Sequence, residues 1–245
     1  MGHCMRAGFA ALAIAIVHAV AAPAVAQGWP EKPVKIVVPY AAGGGTDSVA
    51  RPWAEALSKV FGQPFVIENR GGASGMIGAE AVVKSAPDGY TLLATGNATI
   101  SLQPVVRKTS YDAQKHLAPV ARLGDLVTGF AVHPATGIKT FAELLAYARQ
   151  HPRKLAYGSA GQGTSTHLRL EVLKLRTGVD ILHVPYRGSA DAITDLLANT
   201  VQLMNEIVVL PHAKAGRLTS RRVPSSARPR HGRFRQHRTR GQGEG

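Results

Sequence analysis

Cysteine is almost absent from this 245-residue chain. Cys4 is the single one, which excludes an intrachain disulfide and a cysteine-built zinc site. Acids are also scarce, with 15 Asp+Glu against 29 Lys+Arg and a formal net charge of +14. Taken whole, such a charge suggests a nucleic-acid or membrane-surface partner. Its distribution argues otherwise. Residues 1–27 carry only Arg6, residues 28–216 carry 19 bases and 14 acids, and residues 217–245 carry nine Arg and one Glu. The body is mildly basic, and no nucleic-acid partner is expected for it.

Catalytic and nucleotide motifs are missing as well. Gly43-Gly44-Gly45 lacks the Gly-Lys-Ser/Thr ending of a P-loop, and no complete GxGxxG opens a helix. Gly72-Ala73-Ser74-Gly75 is one residue short of a nucleophile elbow. There is no HExxH, and no close pair among His116, His133, His151, His167, His183 and His212, so neither a metal nor a cofactor is expected. Ser165, His167 and Asp191 or Asp195 have the residue types of a catalytic triad. Such residues are common in surface and capping roles. An exported Ser/His hydrolase is the secondary alternative.

What is present begins with an export signature. Arg6 supplies a positive start, Ala7–Val20 is apolar, and Ala24-Val25-Ala26 offers small residues before a cut at Gln27. Met5 serves equally well as the start. The expectation is a signal peptide over 1–26, removed to leave a soluble periplasmic protein. Hydrophobic content of 45% in the whole chain then suits a folded body.

That body alternates strand, loop and helix. Pro33–Pro39 reads as a strand, followed by a glycine-rich loop and a helix capped by Thr46-Asp47 and closed by Gly62, with a kink expected at Pro52. Further strands are expected over Phe65–Glu68, Tyr90–Ala94, within Val120–Val132, Leu155–Gly158 and Ile181–Val184. Apolar runs follow at Val201–Met204 and Ile207–Leu210. Helices are expected over Ile77–Ser85, Thr140–Arg149, from Thr164 onward, and over Ala190–Ala198. The pattern indicates α/β layering around a largely parallel sheet.

Three strand-to-helix loops share one physical design. Tyr40–Asp47 and Ser159–Ser165 are rich in small residues, which let backbone N–H groups approach a ligand at the positive end of a helix. Ser159, Thr164, Ser165 and Thr166 add hydroxyl donors. The first two loops are expected to face each other and take the two ends of a dicarboxylate. Tyr186–Asp191 is a third such segment, with Tyr186, Gly188 and Ser189 as lining groups, and Gly96–Thr99 a fourth. Taken singly, either of the first two loops is better explained as a tight connection with a capped helix.

The ordered motifs VKIVVPYAAGGGTDSVAR, IENRGGASGMIGAEAV, APDGYTLL, LAYGSAGQGTSTHL and VPYRGSADAITDLL closely resemble the Bug family, the extracytoplasmic receptors of tripartite tricarboxylate transporters. The resemblance covers roughly Trp29–Gly216. It implies a type II periplasmic-binding-protein fold, two α/β lobes closing on a ligand, and a non-enzymatic receptor that binds small carboxylates. It places the ligand against Tyr40, Ala41, Ala42, Gly43, Gly44, Thr46, Asp47, Asn97, Ser159, Gly163, Thr164, Ser165, Tyr186, Gly188, Ser189 and Asp191. The implied partners are membrane transporter components, with the receptor itself a monomer. Lobe 1 is expected over 27–127 and lobe 2 over 128–216.

Two departures from the family pattern stand out. Relatives commonly read Leu-Met-Phe-Asp where this chain has Leu203-Met204-Asn205-Glu206. After Gly216 the family crosses back to complete lobe 1, whereas residues 217–245 are Arg-rich without an apolar period. They read as a disordered tail or an out-of-frame end. Lobe 1 is then incomplete, and the expectation is a chain that aggregates or stays partly unfolded; a non-functional remnant of such a receptor is the alternative to the receptor reading. A genuine basic tail that binds RNA or anionic lipid is the alternative.

Overall fold

The β-branched run Val34–Val38 forms β1, the middle strand of a three-stranded parallel sheet with β2 (Phe65–Asn69) and β3 (Thr91–Leu93). The computed structural model describes residues 28–126 and 128–221. The expected signal peptide, and the Arg-rich segment beyond residue 221, lie outside the described residues. β1 is buried on both faces, as a parallel strand between helices requires. Val34, Ile36 and Val38 pack with Ala50 and Ala54 of α1 (Gly45–Phe61) and with Phe65 in one core. Gly62 closes α1 in the left-handed conformation, its N–H bonded to the Ser58 carbonyl. The helix continues through Pro52; the carbonyl that Pro52 leaves free belongs to exposed Ser48. A tight turn at Ala73–Gly75 leads into α2 (Met76–Val83). After β3, a π-helical turn at Ala98–Leu102 runs into α3 (Gln103–Val106), and α4 (Ala113–His116) follows.

The second sheet has five strands in the order β6-β5-β7-β4-β8. They are β4 (Phe130–Val132), β5 (Ala156–Ser159), β6 (Leu182–Pro185), β7 (Leu203–Asn205) and β8 (Thr219–Arg221). β5, β6 and β7 are parallel, while β4 runs antiparallel to both β7 and β8. Helices α5 (Phe141–Gln150) and α6 (Ser165–Thr177) bring Leu144, Ala148 and Leu170 to one core with Leu155, Tyr157 and Leu203. Helix α7 (Ser189–Leu197) brings Ala192 and Leu196 against Met204 and Val201 in another. The apolar run Ile207–Leu210 enters α8 (Val209–Lys214).

The strand expected within Val120–Val132 is Phe130–Val132. One element differs from the sequence expectation. Past Gly216, Leu218 is 4% exposed in the core beside Met204, and Thr219–Arg221 pairs with β4. The second sheet therefore takes in residues from the segment that composition alone marks as a tail.

Candidate functional site

The β1–α1 loop is held open by one buried carboxylate. Asp47, 1% exposed in the first turn of α1, accepts the Gly43 N–H at 2.8 Å, Arg51 at 2.7 and 3.0 Å, and Asn69 Nδ2 at 2.8 Å. Burial alone would raise its pKa; Arg51, the Gly43 amide and Asn69 together hold it below the usual carboxylate range. Gly43 takes a φ of 77°, a conformation that suits glycine. Asp47 thus shapes the loop from behind. No side chain caps the first turn of α1, so its leading N–H groups stay open to another acceptor. Tyr40 is buried beneath, its hydroxyl 2.8 Å from Thr99 Oγ1, and burial pushes its phenol pKa up. Ala41 and Thr46 are half-buried; Ala42 is exposed. Asn97 is exposed too, and it is Thr99 two residues later that reaches Tyr40.

The β5–α6 loop is held by neutral groups instead. Ser159 Oγ lies 2.7 Å from His183 Nε2 and accepts the Gly161 N–H. Thr164 Oγ1 donates to the Gly161 carbonyl at 2.6 Å and lies 2.9 Å from Thr166 Oγ1, which accepts the Ala160 N–H. Three of the four hydroxyls expected as ligand donors are therefore engaged inside the loop, and Ser165, half-buried, opens α6. Gly163 donates its N–H to His167 Nδ1 at 3.1 Å. Sequence spacing shows no close histidine pair, yet the fold brings His167 and His183 together, their rings tilted by 33° with centroids 4.1 Å apart. His183 also stacks on Tyr157, whose hydroxyl donates to Glu171. Burial, helped by the charge of His167, lowers the His183 pKa to about 4.

This arrangement does not assemble the triad considered from sequence. His167 Nδ1 is committed to Gly163, and the serine bonded to a histidine is Ser159, which is 0% exposed. Among the described residues no cluster of three or more His, Cys, Asp or Glu is arranged to hold a metal ion.

The two lobes meet through these loops, though not in the pairing expected. The β1–α1 loop faces the turn before α7: a Cβ on Gly44 would lie 3.9 Å from the Ser189 backbone N, and one on Gly188 2.9 Å from Ala41 Cβ. Tyr186 points away, its hydroxyl donating to Asp195 at 2.6 Å, and Asp191 is exposed on α7. The β5–α6 loop faces a different part of lobe 1. Ser74 Oγ donates to the Gln162 carbonyl at 2.6 Å, Gln103 Nε2 to the Gly163 carbonyl at 2.8 Å, and Arg107 to Gln162 Oε1 at 3.2 Å. Ala73 and Ser74 have φ of 47° and 58°, a conformation non-glycine residues adopt at some cost, here at the lobe contact. Glu206 completes the seam. Its carboxylate accepts Ser189 Oγ at 2.9 Å and the Ile207 N–H, and a Cβ on Gly45 would fall 2.6 Å from Oε1. Sequence reasoning missed Ser74, Gln103, Arg107 and Gln162 as seam residues. The glycine density of Gly71–Gly75 was the one available signal; Gln103 had none.

Comparison with known proteins places this architecture. Residues 49–239 match the model of the Tripartite tricarboxylate transporter family receptor. BugT of Bordetella pertussis is 36% identical over 219 residues, covering 86% of this chain and 66% of BugT. The match thus spans just under two thirds of that relative's length. A solved R. palustris protein with adipate is 36% identical, with a TM-score of 0.72, covering 79% of this chain and 66% of that one. MatC from Rhodopseudomonas palustris with bound malate is 30% identical, with a TM-score of 0.73, covering 78% and 66%. The fold is that of periplasmic binding proteins of this type, and no described helix is long and apolar enough to cross a membrane. By sequence and by fold, the chain belongs to the Bug-type receptors of the tripartite tricarboxylate transporter family.

Proposed function

We propose that the chain is an extracytoplasmic solute-binding receptor that captures a small carboxylate between its lobes and passes it to the membrane components of a tripartite tricarboxylate-type transporter. One observation carries this reading. Uncapped N-termini of α1, α6 and α7 lie at the carboxyl ends of parallel strands, beside the lobe seam. Backbone N–H groups and helix ends of that kind favour an anion. Carboxyl ends of strands are where open α/β sheets bind ligands.

The contacts divide by role. Backbone amides of Ala41, Ala42 and Thr46 serve from lobe 1, and those of Ser165, Gly188 and Ser189 from lobe 2; Gly43, Gly44 and Gly163, whose N–H groups are bonded to Asp47, the Ala41 carbonyl and His167, shape the loops. Tyr40, Asp47, Ser159, Thr164 and Tyr186 position these segments from behind, while Asn97 and Asp191 stand at the rim. The adipate and malate held by two relatives support a small di- or tricarboxylate as ligand. The signal-like residues 1–26 and the family support export, cleavage and a periplasmic location, with the receptor acting as a monomer.

A thermal-shift panel of carboxylic acids tests the proposal. A ligand that binds only the folded state stabilises it by about 2.7 kcal/mol at a hundredfold excess over Kd. At least one acid should raise the melting temperature in a saturable way, and its neutral amide should not. A panel in which no carboxylate shifts the melt contradicts the proposal.

A further inference from the structure

Two buried side-chain amides beside the lobe-2 loop have polar atoms without a hydrogen-bond partner. Asn205 is 2% exposed, and neither its Nδ2 nor its Oδ1 is bonded. Gln103 is fully buried; its Nε2 is fixed on the Gly163 carbonyl, while its Oε1 has no partner. Buried polar groups are nearly always paired, so each such atom calls for an explanation.

Their places in the fold agree. β7 runs parallel to β5 with Met204 opposite Gly158, which sets Asn205, the last residue of β7, beside Ser159. Leu203, two residues earlier and on the same face, packs with Leu170 of α6. Asn205 therefore lies on the α6 side of the sheet, at the strand end where α6 begins. Gln103 reaches the same loop from lobe 1 through Gly163. The thirteen-residue α6 has no side-chain cap, so a carboxylate suits its N-terminus.

A carboxylate alone does not satisfy these amides. It supplies only acceptors, which match Asn205 Nδ2 and leave Asn205 Oδ1 and Gln103 Oε1 without donors. From this we infer that Asn205 is a specificity-determining residue, selecting a small carboxylate that also carries a hydrogen-bond donor, a hydroxyl or an ammonium, near the carboxylate held by α6. The inference rests on the carboxylate-receptor function proposed above. A hydroxyl donates to an amide oxygen and accepts from an amide N–H, answering both orphaned atoms of Asn205. An ammonium answers the oxygens alone. Sites built to hydrogen-bond a substituent reject the analogue lacking it far more strongly than apolar pockets reject a missing methylene.

Three four-carbon diacids form a minimal set: succinate without a donor, malate with a hydroxyl, aspartate with an ammonium. Calorimetric titration of the chain should show malate or aspartate binding at least about tenfold more tightly than succinate, the scale of one well-made buried hydrogen bond. Preference for malate over aspartate identifies the hydroxyl, and the reverse the ammonium. In Asn205→Leu, which keeps the branched heavy-atom skeleton without polar atoms, the preference should shrink to within about threefold. The ligand-free variant should melt no lower than the parent, because it loses an unpaired buried amide. Equal affinity for the three acids, or a preference that survives Asn205→Leu, overturns the inference. Failure of all three acids to bind also overturns it, whereas the receptor function itself stands or falls on the wider carboxylate panel.

Discussion

The β1–α1 and β5–α6 loops solve one problem with opposite chemistry. In lobe 1 an ionised carboxylate, Asp47, holds the Gly43 amide, Arg51 and Asn69 together. In lobe 2 the same task falls to uncharged groups: Ser159 against His183, Thr164 and Thr166 against each other and the backbone, and His167 under Gly163. Both schemes leave the leading helix amides open to an anion. Lobe 1 depends on an ionised group and lobe 2 on neutral ones, so acid and mutation should separate them.

Asp47→Ala should have the largest effect. It leaves the Gly43 N–H, Arg51 and Asn69 without their acceptor, at a cost of about 2–4 kcal/mol by analogy with breaking buried, charge-assisted contacts. Chemical denaturation should show that loss, and carboxylate binding should disappear with it, whereas Ser159→Ala should cost about 1 kcal/mol. Equal losses would erase the contrast between the loops.

Closure is tested next, at Gly188. Its backbone is extended, so a side chain adds no local strain, but Val there meets Ala41 across the seam. Gly188→Val should weaken binding by at least about tenfold, since overpacking typically costs about 1–3 kcal/mol. Unchanged affinity would mean that ligand capture does not need the two loops in contact.

Acid sharpens the comparison further. His183 has a folded pKa lowered to about 4, and burial lowers His167 as well. Groups depressed in this way contribute stability that is complete above the unfolded pKa of about 6.5 and lost as pH falls through the folded value. Asp47 follows the same sign, with its loss beginning only below the unfolded carboxylate value of about 4. Between pH 6.5 and 4 the decline should therefore come from the histidines, about 1–2 kcal/mol after allowing for solvent screening of half-buried rings. Melts across that range should flatten in His183→Asn. The smallest effect on stability is expected for Tyr186→Phe, which removes the bond to Asp195 at a cost of about 1 kcal/mol.

What the sequence revealed and what it concealed follow from the range of the interactions. The β1–α1 and β5–α6 loops were legible because glycine density, a preceding β-branched run and a following helix are all local. Asp47 was marked as a contact by its position in that pattern, but its engagement by Asn69 comes from a neighbouring strand 22 residues away. Ser159 and His183, also far apart in sequence, meet only because β5 and β6 pair in parallel. Ser74 and Gln103 find the β5–α6 loop across the lobe seam, with no periodicity to announce it. Thr219–Arg221 lacks an apolar pattern and becomes strand by pairing with β4. Tertiary context overrode composition there.

Calorimetric titration of the chain and of Gly188→Val with the best acid from the carboxylate panel tests the central claim most directly. Capture between the lobes predicts saturable one-to-one binding by the parent and a loss of at least about tenfold in the variant. No saturable binding by the parent, or parental affinity in Gly188→Val, would contradict it.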